Sequence, residues 1–179
     1  MISEEYLQQN IKLHEKNPGY GTGGHLHTDE VLAIAKRLKL TSILDYGCGK
    51  GTLLKALRKS GFKEVKGYDP ASYKKYRHRP QPADLVVCTD VLEHIEKKFV
   101  LNVLSDIYNL AHRAGYLSIA TRPSNKTLDD GRNAHLSVHH PFFWMNRIRA
   151  LGWRVVDLDA QWDRKCDWYG LRLWLEKGD

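Results

Sequence analysis

The sequence predicts an α/β fold with a doubly wound, mostly parallel sheet, and three observations carry that expectation. Apolar runs of strand length alternate with amphipathic helical segments from about residue 28 onward. The first of those runs empties directly into a glycine-rich turn, Asp45-Tyr46-Gly47-Cys48-Gly49-Lys50-Gly51. The last two runs have no helix between them, so one of them should be an antiparallel strand at the C-terminal end.

The elements follow in order. Residues 3–16 form a polar amphipathic pattern, and Asn17 to Gly24 is too rich in Gly and Pro to continue it. Thr28 is placed to cap a second helix, with Asp29 and Glu30 in its first turn and Val31, Leu32, Ala35 and Leu38 as its stripe. Ser42–Tyr46 reads as a strand, Thr52–Lys59 as a helix closed by Gly61, and Val65–Tyr68 and Leu85–Thr89 as strands. Lys97–Arg113 is the longest helical pattern, with Gly115 expected to end it before a strand at Tyr116–Ala120. A helix at Pro141–Ala150 and strands at Trp153–Leu158 and Leu171–Leu175 complete the chain. Residues 1–27 are read as an N-terminal helix and Gly-rich loop, and 28–179 as the main domain.

Composition bounds the class. The chain of 179 residues is 42% hydrophobic and 27% charged, as in ordinary globular proteins. No apolar run approaches the ~18 residues of a membrane span, and the acidic start, Met1-Ile2-Ser3-Glu4-Glu5, does not look like a targeting leader. Cys48, Cys88 and Cys166 are too few and too scattered for a disulfide framework or a CxxC site, so a cytoplasmic location is expected. Net charge is +7, and residues 50–79 alone carry a surplus of eight positive charges. Such a field suits an anionic acceptor, or simply solvates the outer face of a helix.

In doubly wound sheets ligands bind beyond the carboxyl ends of the strands, where strand order reverses. Gly47, Gly49 and Gly51 let the backbone approach a ligand there, and Asp69, twenty residues after Gly49, can accept hydrogen bonds from ribose hydroxyls. A P-loop would need GxxxxGK[ST], which residues 49–52 do not supply. The third glycine comes one residue early for a dinucleotide fingerprint, which fits a nucleoside carrying an amino-acid tail.

These residues resemble the motifs of class I S-adenosylmethionine methyltransferases with their Rossmann-like fold, specifically a MetW/UbiG-like domain. Leu44–Gly51 is similar to the first motif, Gly67-Tyr68-Asp69-Pro70 to the second, and Ala83–Ile95 to the segment at the fourth strand. The resemblance implies S-adenosylmethionine as cofactor. Asp45, Gly47 and Gly49 would hold its methionine portion and Asp69 its ribose, Thr89 and Asp90 would lie beside its sulfonium, and Cys48 would also be at the cofactor. Only thirteen residues separate Pro70 from Asp84, too few for the helix and third strand that the family places there. A trimmed edge with a basic loop at 72–82 is expected.

Two polar clusters map to the methyl group. Asp90, Glu93 and His94 are spaced i, i+3, i+4, so one helical turn would present all three on one side. With His135, or His139 as the other downstream candidate, they could bind Mg²⁺ or Mn²⁺. That arrangement is similar to the Glu-x-x-Glu-His plus later His of small-RNA 3′-terminal 2′-O-methyltransferases, and to ubiquinone O-methyltransferases, with Asp90 replacing the first Glu. Without a metal, His94 or His135 would serve as base, aided by Asp90, or the residues would be structural. Phe142, Phe143 and Trp144 could form an acceptor platform or pack in the core. Tyr20, His25 and His27 could form a lid.

The function expected is O-methylation of a small, hydroxylated and perhaps anionic acceptor. The alternatives are a metal-assisted RNA 2′-O-methyltransferase and a non-catalytic cofactor-binding partner subunit. No membrane association is expected, and the sequence does not fix an oligomeric state.

Overall fold

The computed structural model describes residues 2–162 and 168–178. Cys166 lies outside the described residues. Helix α1 (Glu4–Lys16) starts at Ser3, whose hydroxyl accepts from the Tyr6 amide, with Glu4 and Glu5 in the first turn to offset the helix dipole. Then follow α2 (Thr28–Arg37), β1 (Ser42–Tyr46), α3 (Thr52–Lys59), β2 (Glu64–Tyr68), β3 (Ala83–Thr89), α4 (Val100–Leu110) and β4 (Ala111–Ala120). Helix α5 (Pro141–Ala150) and strands β5 (Trp153–Trp162) and β6 (Trp168–Lys177) end the chain.

The strands form one sheet in the order β2-β1-β3-β4-β6-β5. The first four are parallel, and β6 runs antiparallel between β4 and β5. The chain winds outward from β1 to β2 and then returns to β3 on the other side. The order therefore reverses between β1 and β3, whose carboxyl ends carry Gly47 and Asp90. The trimmed edge is as expected: β2 is the last strand, and only a 3₁₀ turn at Lys74–Tyr76 lies between it and β3.

Alternation along the strands fills both layers. Leu44, Tyr46, Val86 and Cys88 pack against α4 and α5, while Ile43, Leu85 and Val87 pack against α2 and α3. Helix α3 buries Leu53, Leu54 and Leu57 completely, each worth about 1.5–3 kcal/mol of apolar transfer. Gly61, at φ 89°, closes it as expected.

Three expectations need correction. The long helix stops at Leu110, and Ala111–Arg113 already belong to β4, paired through Ala111 with Ala83. Gly115 is therefore mid-strand, where an added Cβ would lie 3.1 Å from the Trp153 ring; it admits that ring and ends no helix. Thr28 does not cap α2: it is the first helical residue, and its hydroxyl donates back to the His25 carbonyl. The aromatic trio divides, with Trp144 fully buried in the core, Phe143 packed beside it and Phe142 exposed.

Candidate active site

A cavity of about 240 Å³ opens at the reversal point. Its floor is the glycine turn. Gly47, Gly49 and Gly51 all hold positive φ, the region that glycine tolerates, and the amides of Gly47 and Cys48 donate to the Tyr68 carbonyl. Asp45 and Asp69 line the cavity and are both buried. Burial, with Asp69 nearby, pushes the Asp45 carboxyl up to about 8. Asp69 is clamped: one oxygen accepts from the Gly49 amide at 2.9 Å, the other from Ala71 and Ser72 at 2.8 and 3.0 Å. Thr89 and Asp90 form the opposite rim.

The roof comes from the N-terminal segment. Helix α1 directs Tyr6, Asn10 and His14 at the cavity, and the loop after it adds Tyr20 and Gly21. Lys50 donates to the carbonyls of Asn17 and Pro18, and its amide donates to Gly21 O. Of the three residues expected as a lid, only Tyr20 takes that place. His25 is exposed and held to Thr22, and His27 is buried against the Tyr116 hydroxyl.

At the far side His94 lines the cavity, and His94, Glu93 and His135 each offer a ligand atom within 4.8 Å of the others. Each imidazole is oriented by a backbone carbonyl, which can only accept: His94 Nδ1 donates to Ala134 O at 2.8 Å, and His135 Nδ1 to Arg122 O at 2.6 Å. Both rings thus keep a lone pair on Nε2. Burial, reinforced by His135, lowers His94 to about 3, and burial also lowers His135. Glu93 is fully buried; one carboxylate oxygen accepts from the Ala120 amide and the other has no partner among the described residues. Burial, then Asp90, raises its carboxyl to about 8.

Asp90 does not join that cluster, contrary to expectation. Its backbone is left-handed (φ 55°), it accepts from the Ser118 hydroxyl, and the turn that follows is a 3₁₀ helix over Leu92–His94. An i, i+3, i+4 face therefore never forms. His139 is also elsewhere, stacked on Phe143 at 3.8 Å.

With this geometry in place the comparisons are decisive for the family. Residues 20–162 match the model of a methyltransferase-domain family. The chain belongs to the class I S-adenosylmethionine-dependent methyltransferases. No curated protein sequence is significantly similar to it. Among solved structures it resembles the magnesium protoporphyrin IX methyltransferase of Synechocystis PCC 6803 with bound S-adenosylhomocysteine. The TM-score is 0.62 at 19% identity, over 87% of this chain and 84% of that one. It also resembles the 1,6-didemethyltoxoflavin-N1-methyltransferase of Burkholderia thailandensis (TM-score 0.61, 16% identity, 83% and 76% coverage). A third is the methyltransferase domain of bacterial CtHen1-C (TM-score 0.63, 15% identity, 86% and 97% coverage). At such identities the methyltransferase shares its fold with them.

All seven residues expected at the cofactor line the methyltransferase's cavity, as does His94. Sequence reasoning missed Tyr6, Asn10, His14 and Lys126. The first three carried a readable signal, four-residue spacing along one helix face. Lys126 carried none.

Proposed function

We propose that this methyltransferase transfers the methyl group of S-adenosylmethionine to a hydroxyl of a small acceptor, with Glu93, His94 and His135 holding a divalent cation, Mg²⁺ or Mn²⁺, beside it. The cofactor fits the donor set of the floor. The buried Asp45 carboxylate, with a proton affinity far above normal, suits an ammonium, and Asp69 retains lone pairs for ribose hydroxyls. The cofactor supplies an electrophilic methyl on a sulfonium. What the protein must add is placement of the acceptor and a lowered proton affinity of its hydroxyl.

The observation that carries the cation is the pairing of two Nε2 lone pairs with an unpartnered buried carboxylate oxygen. His94 at about 3 is a weak proton acceptor at neutral pH, yet an imidazole kept neutral and oriented by its Nδ1–H is suited to a metal. A cation held by Glu93, His94 and His135 would also relieve the buried carboxylate, and the chemistry it would supply is a lowered proton affinity of the acceptor hydroxyl. The roofed cavity favours a small acceptor, and the porphyrin and toxoflavin enzymes of the same fold act on small molecules.

An RNA acceptor is the second reading, favoured by the basic tract and by a surface cleft near Lys50, Lys74 and Arg77. Of the ten Lys and Arg residues between 50 and 79, three, Lys50, Arg58 and Arg77, already hold backbone carbonyls, which weakens it. The test is turnover on hydroxylated small molecules with and without EDTA. Chelation, Glu93→Ala and His94→Ala should each cost roughly 10²-fold or more. Full turnover in EDTA would remove the cation, and steep salt-dependent retention on RNA would exchange the acceptor class.

A further inference from the structure

The trimmed sheet edge leaves the cofactor short of one wall. Between β2 and β3 there is a 3₁₀ turn in place of the helix and strand that the family places there. Helix α1 lies over the cavity that this edge borders. Its start is held by the Ser3 amide donating to Glu96 at 2.8 Å, and Ile2 packs on the cluster containing Ile95 and Val103. Its end is held by Lys50 on the carbonyls of Asn17 and Pro18. It therefore runs from the start of α4 to the glycine turn.

The inner face of α1 is the unusual feature. Tyr6, Asn10 and His14 repeat every four residues and all face the cavity. Each carries a buried polar atom without a partner among the described residues: Tyr6 Oη, Asn10 Oδ1 and His14 Nδ1. Tyr6 is only 1% exposed. Three unsatisfied polar atoms in a row on one helix are destabilising unless a ligand pairs with them.

Their chemistry selects the ligand. The Tyr6 hydroxyl can donate, Asn10 Oδ1 can only accept, and a neutral His14 offers a ring-nitrogen lone pair. Burial favours that neutral form, and His14 lies close enough to Asp69 to feel its charge. Beneath this row the cavity is apolar along Tyr68, Pro70, Val91, Ile95 and Val103. A flat heterocycle with an amino group and ring nitrogens, joined to a sugar with two hydroxyls, meets every one of these demands.

We propose that α1 is the nucleoside-binding wall of this methyltransferase, hydrogen-bonding adenine and ribose through Tyr6, Asn10 and His14 in place of the absent edge. This rests on the reading of the cavity as the S-adenosylmethionine site. Calorimetric titration with S-adenosylhomocysteine tests it without turnover. Asn10→Ala and His14→Ala should each weaken affinity by about tenfold, as should Tyr6→Phe. Gln8→Ala, on the exposed face where Gln8 meets Glu4, should leave it unchanged.

Unliganded Tyr6→Phe should melt no lower than the parent chain, because it removes a hydroxyl that has no partner among the described residues. A purely structural role would lower that melting temperature instead. Affinities within twofold of the parent for both Asn10→Ala and His14→Ala would overturn the assignment. So would losses confined to the KM of the methyl acceptor. A parent chain that binds no S-adenosylhomocysteine would overturn the cofactor reading itself, and this wall with it.

Discussion

Binding of the cofactor product should release a proton from Asp45. The carboxyl is 2% exposed and sits near Asp69, and these two causes, burial first, bring it to about 8. An aminobutyrate arm brings an ammonium that only the ionised carboxylate can hold. At pH 7 about nine in ten free molecules carry the proton on Asp45, so binding should expel close to one proton per ligand. If only the ionised form binds, affinity rises with pH until Asp45 is fully ionised. Between pH 6.5 and 8.5 the gain is roughly 25-fold. Calorimetry in two buffers of different ionisation enthalpy reads the proton directly, and the pH series reads the gain. Asp45→Asn should abolish both and bind weakly throughout. An affinity flat across that range with no proton released would refute the argument.

Further outcomes follow from the turn, the sheet and the cluster. Gly49→Ala combines a left-handed φ of 50° with a Cβ 2.8 Å from Gly21 Cα, so it should cost about 1–2 kcal/mol of strain and displace the roof. Its affinity for S-adenosylhomocysteine should fall by more than its stability to urea. Gly115→Ala should lose about 1–3 kcal/mol by crowding the Trp153 ring, seen as an earlier denaturant midpoint. Mn²⁺ at about a hundred times its Kd should raise stability by roughly 2.7 kcal/mol, or about 5–10 °C in Tm. His135→Ala should abolish that shift, and an equal shift in the variant would place the ion elsewhere.

The glycine turn and its acid were legible because backbone conformation there is dictated locally. Only glycine occupies φ near +50 to +80° cheaply at positions 47, 49 and 51, and Asp69 follows at the end of the next strand. The strand at 111–113 was not legible. Ala-His-Arg-Ala suits a helix by propensity, and it is extended because Ala111 pairs with Ala83 of β3 and Ala114 with both β3 and β6. Gly115 misled for the same reason, since its cause, Trp153, lies far along the chain. Asp90 had the right spacing for the metal cluster. Its left-handed backbone, whose N–H donates a hydrogen bond to Ser118 O, turns it out of that group. The inward stripe of α1 was visible as spacing, but nothing in the sequence said which surface it would meet.

The two halves of the site are thus built differently, and that difference can be tested at Asn133. The floor of the cofactor half relies on backbone turns within a short stretch of chain, residues 45–51 and Asp69. The acceptor half depends on a long loop after β4, which supplies Ala134 O to His94 and carries His135. Asn133 organises that loop: its Oδ1 accepts from the amides of Ser124 and His135, and its Nδ2 donates to Ser124 O. Asn133→Ala removes all three bonds and frees His135 to leave its orientation toward Glu93 and His94. Outer groups that orient ligands typically carry about 10–100-fold in activity or metal affinity, so turnover and Mn²⁺ affinity should fall together by that factor. S-adenosylhomocysteine affinity should stay within about twofold, because the bonds of this amide go to Ser124 and His135, neither of which lines the cofactor cavity. Asn133→Asp keeps the Oδ1 acceptor and should recover part of the loss. Equal turnover in Asn133→Ala, or a loss shared by cofactor affinity, would mean that the acceptor half is not held in place by this loop.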